Sequence, residues 1–221
     1  MTRPRLALFD CDGTLVDSQA NICLAAVEAF RLSDLTPPPA PAIRRIVGLS
    51  LVEAMRVLAP DATDKAHHRL AADYKAAFFR LRTEGAMEPE PLFEGIPALL
   101  DHLAGDGWLM GVATGKSDRG LARVLAEHSL AHHFVTLQTA DRHPSKPDPS
   151  MVLAAMAEAG VAAANVAMIG DTSFDMAMGK AAGAFAVGVA WGYHDVHDLV
   201  NAGADVVAQE VADLPALLVR A

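Results

Sequence analysis

Two cysteines, Cys11 and Cys23, are all that the 221 residues contain. With no CxxC pair and no further thiols they offer neither a disulfide framework nor a zinc site. A reducing compartment, the cytoplasm, is expected. Positive charge is also in short supply: 18 Lys and Arg stand against 27 Asp and Glu, a net charge of −9. On that balance a basic face for a nucleic acid polymer is not expected. No apolar run approaches the roughly 20 residues of a membrane span, so no membrane partner is expected. The apolar residues ahead of Asp10, Leu6 to Phe9, fall short of the roughly 7–15 of a signal-peptide core, and no targeting segment is expected. Internal repeats are missing, and the one low-complexity tract is a short proline run. What is present is ordinary for a globular chain. Hydrophobic residues make up 52% and charged residues 20%, which excludes disorder throughout. The length suits one domain, or a core with one inserted subdomain.

Leu6-Ala7-Leu8-Phe9 ends at Asp10 and reads as a buried parallel strand. From about Val16 to Phe30 the apolar residues recur at helical spacing. Thr36-Pro37-Pro38-Pro39-Ala40-Pro41 is a rigid break. Residues 41–83 then read as entirely helical, in stripes led by Ile43, Leu51 and Leu70. Glu84 to Pro91 is the best linker candidate. Beyond it, strands over 108–113, 134–137, 166–169, 185–189 and 205–207 alternate with helices over 96–104, 119–127, 149–159, 174–182 and 195–201, and a last helix closes the chain. This alternation implies βαβ units and a doubly wound parallel sheet. The expected organisation is an α/β core from residues 1–16 and 89–221 and an inserted α-helical unit over 17–88. Its hinges would lie near Val16–Ser18 and Gly85–Pro91.

Ligands of open parallel sheets sit at the carboxyl ends of strands. Asp10-Cys11-Asp12-Gly13-Thr14 follows the first strand, Thr114-Gly115-Lys116-Ser117 the second, and Gly170-Asp171-Thr172-Ser173-Phe174-Asp175 the fourth. Ser145-Lys146-Pro147-Asp148-Pro149 precedes a helix at the same rim. A carboxylate at a strand tip can act as a covalent nucleophile. If its target is a phosphate, two unit charges about 4 Å apart repel by about 4 kcal/mol at an effective dielectric of 20, so a cation is needed. Asp10, Asp171 and Asp175 offer the hard oxygen ligands that suit Mg²⁺. Lys146 and the Thr114 hydroxyl could hold phosphoryl oxygens. Gly13 and Gly115 mark places where backbone can approach a ligand. Asp12, two residues past Asp10, is placed to act as general acid toward a leaving alkoxide.

The stretch Asp10-Cys11-Asp12-Gly13-Thr14-Leu15-Val16-Asp17-Ser18 resembles the first motif of the haloacid dehalogenase superfamily. Thr114, Lys146 and Gly170-Asp171-x-x-x-Asp175 match its second, third and fourth motifs in order, and the likeness spans the chain. It implies a Rossmann-like core with residues 17–88 as the small α-helical cap of that superfamily. It implies that Asp10 forms an aspartyl-phosphate and that Asp12 protonates the leaving group and then activates water. Thr114 and Lys146 would bind the phosphoryl group. Mg²⁺ would be held by the Asp10 carboxylate, the Asp12 backbone carbonyl and Asp171, with Asp175 as an outer partner or a direct ligand. An acid at position 12 points to phosphate-ester chemistry, because the dehalogenase branch lacks one there and the ATPase branch carries Thr.

Ile43-Arg44-Arg45-Ile46-Val47-Gly48-Leu49-Ser50-Leu51 is similar to the cap loop of phosphoglycolate phosphatases and their relatives. The hexose-phosphate mutases carry Arg where Leu51 stands. Lys116 is also common in the phosphoglycolate phosphatase group. A small phosphorylated carboxylate is therefore the expected substrate, with Lys116, Arg44 and Arg45 as binding residues and Lys75 and Arg82 as further candidates. A phosphomutase using the same phosphoenzyme, a phosphatase for a nucleotide or sugar phosphate, and a non-catalytic binding module are the alternatives. The chain is expected to be a monomer or weak homodimer. His67-His68, His132-His133 and His194-x-x-His197 read as surface histidines.

Overall fold

The structure is a computed structural model describing residues 4–219. Its centre is a six-stranded, wholly parallel sheet in the order β3-β2-β1-β4-β5-β6. The strands are β1 (Arg5–Phe9), β2 (Trp108–Thr114), β3 (Thr136–Thr139), β4 (Val166–Gly170), β5 (Phe185–Val189) and β6 (Val206–Ala208). The run Leu6-Ala7-Leu8-Phe9 shows why β1 lies in the middle. Ala7 and Phe9 face one layer with Val112, Ile169 and Val187. Leu6 and Leu8 face the other with Val166, Met168, Met151 and Met178. Alternate residues feed opposite layers, so only a strand covered on both faces satisfies four apolar residues in a row. Burying Phe9 alone stabilises the fold by about 2–3 kcal/mol.

Five helices fall between β1 and β2, and the first four form the insert: α1 (Gln19–Leu32), α2 (Ala40–Arg44), α3 (Leu51–Leu58) and α4 (Asp64–Thr83). They enclose a small cluster of their own, Phe30, Met55, Leu70 and Ala71. The stretch 41–83, expected to be helical in three stripes with the second ended by Pro60, forms three separate helices. Pro41 opens α2, which lasts five residues, and the loop 45–50 runs down to the sheet's rim. Thr63 then caps α4 by accepting from the Ala66 amide at 3.3 Å. The chain enters and leaves this insert side by side: the Asp17 amide donates to the Pro91 carbonyl at 2.9 Å and the Phe93 amide to the Leu15 carbonyl at 3.0 Å.

After the insert come α5 (Ile96–Gly105), α6 (Asp118–Glu127), α7 (Ser150–Ala159), α8 (Ser173–Ala181), α9 (Val196–Asn201) and α10 (Leu214–Leu218). The third strand lies two residues beyond its expected place. Ala131–His133 form a 3₁₀ turn, Phe134 packs on the core as that turn ends, and the pairing falls to Thr136–Thr139. Polar Thr136 and Gln138 tolerate burial there because Glu158 of α7 accepts from both side chains.

Candidate active site

The register of β1 brings the site together. Phe9 stands level with Val112 on one side and Ile169 on the other. The next residue, Asp10, therefore emerges between the ends of β2 and β4, its amide donating to the Ile169 carbonyl at 2.8 Å. Asp10, Lys146, Asp171 and Asp175 are each at most 1% exposed. The carboxylates of Asp10, Asp171 and Asp175 offer oxygens that all lie within 4.8 Å of one another.

Each carboxylate is held differently. Asp175 is saturated: Oδ1 accepts from Lys146 Nζ at 2.6 Å, and Oδ2 accepts from the Thr172 amide at 3.1 Å and the Thr172 hydroxyl at 2.6 Å. Thr172 and Asp175 also form a capping box at the start of α8, so the local sequence that begins the helix fixes the carboxylate. Asp171 Oδ1 accepts from Thr14 Oγ1 at 3.0 Å and Oδ2 from the Tyr193 amide at 2.8 Å. Asp10 is the exception. Its Oδ1 is ion-paired with Lys146 Nζ at 2.9 Å, and its Oδ2 accepts no hydrogen bond.

A buried carboxylate so poorly satisfied is costly as an anion. Burial drives the Asp10 pKa up to about 7, against the pull of Lys146 and helped by the charges of Asp175 and Asp12. Burial, then Asp10 and Asp175, push Asp171 well above the usual carboxylate range. Lys146 moves up despite its burial because Asp10 and Asp175 flank it. Three carboxylates facing one ammonium group leave excess negative charge in a dry niche. With the orphaned Asp10 Oδ2, this donor set fits a hard divalent cation bound through oxygen. The backbone has been cleared to make room: Gly13 has φ +82°, and a Cβ there would lie 2.1 Å from Asp171 Oδ2.

Asp12 stands at the edge of this niche, with Oδ1 2.7 Å from Lys116 Nζ and also accepting from the Ser18 hydroxyl. Ser18 is held in turn by Tyr193, whose phenol oxygen accepts from the Ser18 amide at 3.0 Å. Burial would lower the Lys116 pKa, and the neighbouring Asp12 charge more than offsets it, raising the pKa. Thr114 is buried, and its Oγ1 accepts from the Lys116 amide at 3.2 Å, leaving the hydroxyl proton for another acceptor. Gly115 lets the insert touch the rim, since a Cβ would lie 2.7 Å from the carbonyl oxygens of Gly48 and Leu49. The Ser50 amide adds a second link by donating to Ser145 Oγ at 2.8 Å.

The rim thus gathers Asp10, Asp12, Gly13, Thr114, Gly115, Lys116, Lys146, Asp171 and Asp175. Arg44 and Arg45 do not join them. Arg45 is mainly solvated, 3.9 Å from Asp195, and Arg44 sits half-buried with its Nε unpartnered. Neither lines the cleft between insert and sheet, which Lys75 does border. Arg82 lies over the Phe78 ring. The reason lies in α2, which is too short to carry these arginines across to the site.

Three residues with structural parts here carried no such expectation. Ser18 and Tyr193 brace Asp12, and His194, expected on the surface, bridges insert and core. Its Nδ1 accepts from the Ser173 amide at 3.2 Å and its Nε2 lies 3.1 Å from the Arg45 carbonyl, a pattern that requires a neutral ring protonated at Nε2. Burial accordingly lowers its pKa. His197 instead contacts Asn201. His67 is another buried histidine, packed with its Nε2 2.9 Å from the Ala59 carbonyl.

An open α/β sheet with three clustered carboxylates and a lysine at its carboxyl rim narrows the candidates to a few phosphate- or halide-handling classes. A family model for haloacid dehalogenase-like hydrolases matches residues 7–189. The chain is 36% identical over 214 residues to "Probable phosphatase IndB" of Dickeya dadantii, covering 95% of this chain and 91% of that protein. It is 26% identical over 222 residues to the phosphoglycolate phosphatase of Vibrio cholerae, covering 95% of each. A solved structure of a hydrolase from Pseudomonas syringae superposes with a TM-score of 0.84 at 27% identity over 97% of both chains. The chain belongs to the haloacid dehalogenase-like hydrolases. It is similar along nearly its whole length to members named as phosphatases. Among the described residues no helix is long and apolar enough to cross a membrane.

Proposed function

We infer that this phosphoric monoester hydrolase cleaves a small phosphate ester through an aspartyl-phosphate on Asp10. The observation that carries the reading is the Asp10 carboxylate, buried at a strand tip with Oδ1 paired to Lys146 Nζ at 2.9 Å and Oδ2 without a donor. An oxygen left without a donor is free to attack phosphorus. In the first step Asp10 forms the new P–O bond as the ester P–O bond breaks. Asp12, with Oδ1 accepting from Lys116 and Ser18, carries a proton on Oδ2 when substrate is bound and gives it to the departing alkoxide. In the second step Asp12, now a carboxylate, takes a proton from water as that water attacks phosphorus, and the bond to Asp10 breaks to release phosphate. Lys146 orients Asp10 and meets phosphoryl charge, and the Thr114 hydroxyl donates to a phosphoryl oxygen.

The metal reading is Mg²⁺ held by the Asp10 carboxylate, the Asp12 backbone carbonyl and Asp171. Asp175, with both oxygens engaged, orients Lys146 and the opening of α8. When bound, the ion would supply charge neutralisation between the nucleophile and the phosphate. Lys116 and Ser18 both engage Asp12 Oδ1 and so fix where its proton is delivered. The proposed unit over 17–88 covers the rim and excludes water when docked.

Phosphate release from a panel of esters, with and without Mg²⁺ and beside Asp10→Asn, tests this. Metal-dependent release abolished in the variant supports the reading. Release that survives Asp10→Asn contradicts it. Transfer of phosphate within a sugar phosphate without release would make the protein a mutase.

A further inference from the structure

The cleft between the helical insert and the sheet encloses about 480 Å³, within the range that receives drug-sized ligands. Asp12 and Lys116 form one part of its wall, and the niche of Asp10 lies on their other side. An alkoxide that takes its proton from Asp12 therefore directs the rest of its alcohol into this cleft. On the insert side the wall is mainly apolar, with Ile22 and Ala26 of α1, Ala54 and Met55 of α3 and Tyr74 and Phe78 of α4, while Ser117, Arg123 and Asp141 border the side of the sheet. Tyr74 and Phe78 are i, i+4 neighbours on one helix face, their ring centroids 5.9 Å apart.

A substrate carboxylate finds little here. Lys116 is the cation beside Asp12, and Asp12 Oδ1 already engages it at 2.7 Å. Lys75, Arg119 and Arg123 also border the cleft, but Lys75 and Arg119 are exposed, Arg123 is half-buried, and Arg119 lies over the Phe79 ring. A two-carbon acid would leave most of the cleft unfilled and rest its charge against hydrocarbon. An apolar ring would exclude water from the wall and match the aromatic pair on α4.

We propose that the substrate is a phosphate monoester whose alcohol carries an apolar, ring-sized body seated against Tyr74 and Phe78, in preference to phosphoglycolate. The proposal rests on the phosphatase reading above. Its test is kcat/KM for benzyl phosphate and for phosphoglycolate with Mg²⁺, in the natural chain and in Ala54→Phe, which fills the cleft. Ile22→Gln, which makes the wall polar, serves as second variant should Ala54→Phe fail to fold. The expected result is a preference for benzyl phosphate of about tenfold or more, narrowed by about tenfold in the variant. Phosphoglycolate preferred, or a ratio unmoved by the substitution, overturns the inference and leaves the phosphatase standing. Metal-dependent release from no ester, and none from the acyl phosphate acetyl phosphate, would instead remove the phosphatase reading. A thermal-shift comparison then decides the cleft on its own. Stabilisation by benzylphosphonate above that by phosphonoacetate supports an apolar site, and the reverse order overturns it.

Discussion

At the rim of the sheet the protein buries ionisable groups that repel one another, and a few residues away, under the insert, it lines a wide cleft with hydrocarbon. Asp10, Asp171, Asp175 and Lys146 are held by short contacts in which only Asp10 keeps an oxygen, Oδ2, without a donor. The cleft has Met55, Tyr74 and Phe78 along its insert wall, with its charged groups on the side of the sheet and at its border. The two regions solve different problems. The rim keeps one oxygen reactive by denying it hydrogen bonds, at a cost in stability carried by the apolar layers on both faces of the sheet. The insert keeps a volume open, and in the proposed reading shape and apolar area do the selecting. Asp12 belongs to both regions, tied to the rim by sequence and to the cleft through Lys116.

Damage to the rim should abolish chemistry, and the largest effect belongs there. Asp10→Asn is expected to lower turnover at least about 10⁴-fold, while raising the melting temperature of the metal-free protein at neutral pH because a buried charge is removed. Steady-state assay and thermal melting check the two halves together. Asp12→Asn should cost about 10²–10⁴-fold with alkyl esters and much less with p-nitrophenyl phosphate, whose leaving group needs no proton. An equal loss on both would take the general-acid role away from Asp12.

Smaller effects sharpen the boundary between the regions. A carboxyl group whose pKa is raised by folding withdraws stability as pH climbs from its unfolded value, near 3.9, to its folded value, about 7 for Asp10. The metal-free protein should therefore lose stability across that window. Because the metal binds the deprotonated carboxylates, the rise in melting temperature on adding Mg²⁺ should be larger at about pH 8 than at about pH 5. A rise independent of pH would place the ion away from Asp10. Ser18→Ala, which removes one brace from Asp12, should lower kcat by about tenfold, mainly for alkyl esters, with KM little changed. Gly115→Ala forces the insert loop off the rim and should raise KM more than it lowers kcat.

The rim was legible in the sequence because its residues follow strand ends, and strands announce themselves as short apolar runs. Asp10, Asp171 and Lys146 each sit where such punctuation puts them. The insert was less legible. Helical periodicity over 41–83 could not reveal that α2 stops after five residues, nor that Arg44 and Arg45 turn away from the cleft, since both depend on tertiary packing. The braces on Asp12 were invisible for another reason. Ser18 and Tyr193 are 175 residues apart, and no local pattern links them. His194 was misjudged likewise, because its partners are backbone groups in distant segments. The third strand slid by two residues because its polar face is satisfied by Glu158 from α7, which no alternation of apolar residues signals.

The claim that joins the two regions is that phosphate passes through Asp10 before it reaches water. Rapid acid quench during turnover, followed by mass spectrometry of the peptide that contains Asp10, tests it directly. The expected result is a transient phosphoryl group on Asp10 that forms with substrate and Mg²⁺ and is missing in Asp10→Asn. Phosphate released with no label on the protein, or a label on any other residue, would contradict it.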